Sequence, residues 1–111
     1  EVPKSRSPEV PVDWAMPKLS ATALKAALGA LPGWKGTSKA IKRQYTFPTF
    51  ADAITFSTRL AFDAEAADHH PDLLISHRRV TVTWSTHSAG GVTKKDITGA
   101  KASDAAARVC S

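Results

Sequence analysis

Residues 80–87 read VTVTWSTH. In an extended chain successive side chains point to opposite faces. Val80, Val82 and Trp84 therefore share one face, and Thr81, Thr83, Ser85 and then His87 share the other. The pattern predicts a strand from Arg79 to Thr86, apolar towards a core and polar on its outer side. A shorter run, Leu73 to His77, precedes it and predicts the other arm of a hairpin. Residues 41–47, IKRQYTF, repeat the alternation: Ile41, Arg43, Tyr45 and Phe47 stand against Lys42, Gln44 and Thr46. A short partner strand is expected from Trp34, with a turn near Thr37 and Ser38.

Helical signals surround these two hairpins. Between them, Phe50 to Ala67 predicts the longest helix, opened by the T-x-x-D capping box of Thr49 and Asp52. Phe50, Ile54 and Ala61, with Ala53 and Leu60 beside them, make an apolar face that Phe56 and Phe62 widen. One small sheet should not cover so broad a face, so a subunit interface is expected there. Before the first hairpin, Leu19 to Leu31 carries a stripe of Leu24, Leu28 and Leu31 behind the N-cap candidate Ser20. Pro32-Gly33 closes it. After the second hairpin, Gly90-Gly91 breaks the chain, and a second capping box, Thr93 to Asp96, opens a helix to about Val109.

The order helix, two strands, helix, two strands, helix predicts an α+β fold of two layers, an antiparallel four-stranded sheet with helices on one face. Residues 19–111 read as one domain. Residues 1–18 hold four of the seven prolines and read as a loosely held arm.

Composition narrows the function. The net charge is +5, but the basic residues are dispersed and no nucleic-acid motif accompanies them, which argues against direct nucleic-acid binding. No apolar run approaches the roughly 20 residues of a membrane span. Cys110 is the only cysteine, so no internal disulfide can form, and a reducing, cytoplasmic setting is expected. An organellar one stays open, because the chain begins at Glu1 and a targeting segment could have been removed.

The chemistry concentrates in residues 65–74, EAADHHPDLL. His69 and His70 adjoin there, with Asp63, Glu65, Asp68 and Asp72 crowded around them. Three readings compete: a metal site, a proton-transfer site and a polar loop. Adjacent histidines make poor joint ligands, and no Cys or H-x-x-x-H spacing supports a metal. Histidine does exchange protons near neutral pH, and neighbouring carboxylates can select its tautomer and bias its pKa.

One resemblance ties these segments together. Glu65, His69, His70 and Pro71, then Ser85, Thr86 and His87, then Gly91, Val92, Thr93 and Asp96 resemble the motif of the pterin-4a-carbinolamine dehydratase family. The likeness runs back through the Phe50 helix and GWKG (residues 33–36) to Leu19-Ser20, and covers roughly residues 19 to 108. Two positions depart from it. His77 stands where the family often has Tyr on the third strand, and Trp84 replaces a smaller aliphatic residue. Neither is expected to touch the motif histidines.

The resemblance implies dehydration of 4a-hydroxytetrahydropterin to quinonoid dihydropterin, in the recycling of a tetrahydrobiopterin-type cofactor, with no metal and no cofactor of the protein's own. It implies His69 and His87 as the acid and base pair, with His70 chiefly holding the substrate. Asp68 and the Ser85-Thr86 backbone would border the pterin. Glu65 would orient His69 or be a solvated carboxylate. Thr93 and Asp96 would cap the last helix and so hold His87 in place, and Trp34 would pack in the core or edge the pocket. A homotetramer is implied, and an aromatic amino acid hydroxylase as the pathway partner. Animal members of the family also bind a homeodomain transcription factor, so a protein-binding role is the alternative.

Overall fold

A computed structural model describes residues 17–110. The expected arm falls largely on residues 1–16, outside the described residues. The elements are α1 (Ala21–Gly29), β1 (Lys35–Gly36), β2 (Ile41–Thr46), α2 (Phe50–Ala67), β3 (Asp72–Ser76), β4 (Arg79–Trp84), a 3₁₀ turn (His87–Ala89) and α3 (Lys94–Cys110). The four strands form one antiparallel sheet in the order β1-β2-β4-β3. The α+β class and the element order agree with the sequence reading.

Local chemistry explains the boundaries. Ser20 caps α1 by accepting the Ala23 N–H, and the Thr49 hydroxyl oxygen caps α2 by accepting the Asp52 N–H. Each satisfies one of the donors that a helix start leaves without a partner. β4 ends at Trp84, two residues before the expected Thr86, because Ser85 leaves the ladder and its hydroxyl donates to the Lys39 carbonyl at 2.6 Å. Thr86 then bridges to Gly91. His77 sits in the β3–β4 turn, not on a strand, with φ +55°.

The core lies between the sheet and the helices. Ile41, Tyr45 and Phe47 from the β2 segment and Val80, Val82 and Trp84 from β4 meet Ala53, Phe56 and Leu60 of α2. Burying one large side chain of this kind contributes about 1.5–3 kcal/mol. Past Asp96, the buried residues of α3 are small, Gly99, Ala100, Ser103, Ala106 and Ala107, and the helix therefore packs close. Phe56, expected to widen an interface, is fully buried in this core, whereas Phe50 and Phe62 are 58% and 73% exposed.

Asp104 of α3 ties β2 to the rest. It accepts from Trp34 Nε1 at 3.1 Å, from Arg43 at 3.0 Å and from the Tyr45 hydroxyl. Burial, and then this hydrogen bond to a carboxylate, push the Tyr45 phenol well above its ordinary range. Trp34 is therefore a core residue.

Candidate active site

The C-terminus of α2 sets the direction of the two adjacent histidines. Asp68 adopts a left-handed conformation (φ 50°, ψ 42°), which Asp tolerates better than most residues. The His69 N–H then reaches back to the Ala64 carbonyl at 3.1 Å, the long bond of a Schellman turn. The chain leaves the helix sharply, and the two imidazoles part company.

His69 turns inward. Its Nε2 lies 2.6 Å from Asp96 Oδ1, and its ring stacks on Trp84 with centroids 5.3 Å apart and planes 28° apart. His70 stays half exposed, with Nε2 2.6 Å from Glu65 Oε1. Two expectations are corrected here. Glu65 engages His70, not His69: the turn at Asp68 carries His69 away from the helix face on which Glu65 stands. Trp84 does touch a motif histidine, because its inward face of β4 is the one that His69 folds towards.

Asp96 also does more than cap. Its Oδ2 accepts the Thr93 N–H at 2.9 Å and the Thr86 hydroxyl at 2.7 Å, while Oδ1 is left for His69. A hydroxyl has one proton. Thr86 gives its proton to Asp96, so Thr93 must donate in the 2.9 Å contact between the two hydroxyls. Every polar atom of this fully buried cluster is thereby matched. The expectation for Thr93 and Asp96 is amended as well: Asp96 alone of the two reaches His69, and both bond the hydroxyl of Thr86, the residue before His87. His87 is placed instead by backbone, in the 3₁₀ turn framed by the Thr86–Gly91 bridge and the left-handed Gly90 (φ 75°).

Asp68, His69, His70, Ser85, Thr86 and His87 all line one open cleft of about 400 Å³, which Ser88 and Lys95 complete. That size suits a small molecule, whose sites span roughly 300–1,000 Å³. Pro71 lies outside the cleft, beside His70 and Glu65 in a neighbouring groove along α2. A smaller cavity of about 190 Å³ lies between α2 and α3 and shares His69 and Lys95 with the cleft. Among the described residues, no three His, Cys, Asp or Glu side chains gather as a metal-ligand set. Sequence reasoning had not singled out Ser88 or Lys95. They adjoin motif residues, but nothing in their spacing marks them.

With Asp96 as a carboxylate, its oxygens can only accept, so the His69 proton sits on Nε2 and Nδ1 is the nitrogen left to exchange. One imidazole is thus held in a single tautomer. The other two, His70 and His87, have side chains open to solvent.

Comparison with known proteins shows the family. A family model described as pterin 4 alpha carbinolamine dehydratase matches residues 17–106. A relative from Thermosynechococcus vestitus is 48% identical over 84 residues, 76% of this chain and 88% of its own length. Another, from Picosynechococcus sp., is 45% identical over 80 residues, 72% of this chain and 87% of its own length. Both are provisionally named pterin-4-alpha-carbinolamine dehydratases. A crystal structure from Brucella melitensis, described as a transcriptional coactivator/pterin dehydratase, superposes with TM-score 0.78 at 39% identity. It covers 81% of this chain and 98% of its own. The chain belongs to the pterin-4-alpha-carbinolamine dehydratase family.

Proposed function

We propose that the protein is a hydro-lyase that removes water from 4a-hydroxytetrahydropterin and yields quinonoid dihydropterin. The carbon–oxygen bond at C4a breaks, the hydroxyl leaves as water with one added proton, and a ring nitrogen gives up one proton as the C=N bond forms. Nothing is oxidised or reduced, so the step needs one acid and one base. His69 and His87 are the pair that trades these protons, and His70 holds the substrate and the leaving hydroxyl. Asp68 and the Ser85-Thr86 segment border the ring.

The observation that carries this reading is that three imidazoles from two separate segments meet at one cleft of small-molecule size. A second is that a buried carboxylate holds one of them at 2.6 Å. Positioned acid-base groups of this kind contribute about 10²–10⁴-fold to rate. The test is dehydration of 4a-hydroxytetrahydropterin by the purified chain, with no added metal or nucleotide and a chelator present. Acceleration above the uncatalysed rate is expected. No acceleration, or a loss on chelation that zinc restores, would overturn the reading.

A second reading rests on the exposed Phe50, Phe62 and Leu74. Such apolar surface fits self-association into a homo-oligomer, for which the family resemblance suggests a tetramer, and would also serve a protein partner. The coactivator half of the Brucella melitensis description is consistent with a partner. A binding role would survive removal of His69, whereas the dehydratase would not.

A further inference from the structure

The geometry points to Trp84 as a positioning residue for His69, and so for the proton transfer assigned to it; the inference rests on the dehydratase reading. The hydrogen bond to Asp96 fixes one atom of the imidazole, Nε2. A single point leaves the plane of the ring free to turn about it. Packing does not supply the missing restraint on every side, because His69 lines the substrate cleft as well as the cavity between α2 and α3. The stacked indole is the flat surface that selects the plane.

The indole is itself held still. It is 2% exposed, and its Nε1 donates to Ser103 Oγ at 3.0 Å. That hydroxyl spends its own proton on the Gly99 carbonyl at 2.8 Å and so presents an acceptor to Trp84. One turn earlier on α3, the Gly99 backbone lies against the fused bond of the indole. A Cβ there would stand 2.6 Å from both Cδ2 and Cε2, closer than any packing allows. Gly99 and Ser103 thus form a seat on α3 for one large ring, and that ring serves as the wall for His69. Trp84 does not line the substrate cleft, so it acts through His69 and not on the pterin.

The test compares Trp84→Met, which keeps an apolar side chain but loses the flat wall, with Trp84→Phe, which keeps a ring. Trp84→Met should lower kcat by roughly 10–10²-fold, the toll of an ångström-scale misplacement, with KM little changed. Trp84→Phe should retain most of the rate. In a His69→Ala background, Trp84→Met should cost nothing further, because the residue it positions is gone. Wild-type kcat in Trp84→Met, equal losses in Met and Phe, or an undiminished loss in the His69→Ala background would each overturn the proposal. If Trp84→Met fails to fold, Trp84→Leu takes its place: it also fills the core without a flat ring and should lower kcat in the same direction. If the wild-type chain shows no dehydratase activity, the proposed function fails, and nuclear magnetic resonance of His69 tests the wall alone. The His69 Nε2–H, held by Asp96 in the native chain, should exchange faster with water in Trp84→Met but not in Trp84→Phe. Unchanged signals in Trp84→Met would overturn the positioning role.

Discussion

Asp96 Oδ1 lies 2.6 Å from His69 Nε2, although 27 residues separate the two in sequence. One carboxylate thereby finishes the N-terminus of α3 and orients the most enclosed imidazole of the cleft. Asp96→Asn should keep the size and part of the cap, but an amide can present an N–H where His69 needs an acceptor. Turnover should fall by roughly 10²-fold, within the usual worth of acid-base catalysis. Asp96→Ala should also destabilise the fold by about 2–4 kcal/mol, since Thr93 N–H and the Thr86 hydroxyl lose their buried acceptor. Kinetics and thermal melts of the two variants separate the roles. An Asp96→Asn enzyme with full turnover would remove the orienting role.

The four histidines should rank in order of their places. His69→Ala and His87→Ala should lower turnover by roughly 10²–10⁴-fold once the uncatalysed rate is subtracted. His70→Ala should raise KM more than it lowers kcat, as expected for an interaction shared by ground and transition states. His77→Ala should change neither, because His77 stands exposed in the β3–β4 turn and lines no part of the cleft. A His77→Ala loss as large as that of His87→Ala would move the active face elsewhere.

Assembly can be separated from folding along α2. Phe62 is 73% exposed, whereas Phe56 is fully buried. Phe62→Glu should leave the monomer folded and weaken self-association, while Phe56→Glu should abolish the fold. Light scattering should give a multiple of 11.8 kDa for the native chain at micromolar concentration. A monomer mass alone would end the proposal of an oligomer.

Alkaline pH should weaken the fold through Tyr45. Its phenol is held neutral by burial and by the bond to Asp104, so its folded pKa lies above the unfolded value of about 10. Below that pH both states keep the proton and stability does not depend on it. Above it the unfolded chain releases the proton first, and stability falls by up to about 1.4 kcal/mol per pH unit. Tyr45→Phe should lose that slope while costing about 1–2 kcal/mol at neutral pH, where Asp104 loses a donor. Urea midpoints against pH for both chains measure this. Tyr45 is the only tyrosine, so phenolate absorbance follows its ionisation directly. Equal slopes for the two proteins would count against the linkage.

Local periodicity was enough to place the elements. The bounds of α2 agree with the reading from Thr49 and Asp52, and the alternation at Val80, Val82 and Trp84 put all three in the core. Caps and alternation depend on neighbours within a few residues, and such neighbours are visible in a chain read end to end. The motif contained His69, His70, Ser85, Thr86 and His87, which line the cleft, and also Pro71, Thr93 and Asp96, which do not. What tertiary structure alone decided was who faces whom. The left-handed turn at Asp68 separates two adjacent histidines, giving Glu65 to His70 and sending His69 to Asp96 and Trp84. Periodicity names the face on which a side chain stands. The residue opposite is set by how closely α3 can approach β4, and that approach depends on Gly99 having no side chain where the Trp84 indole lies.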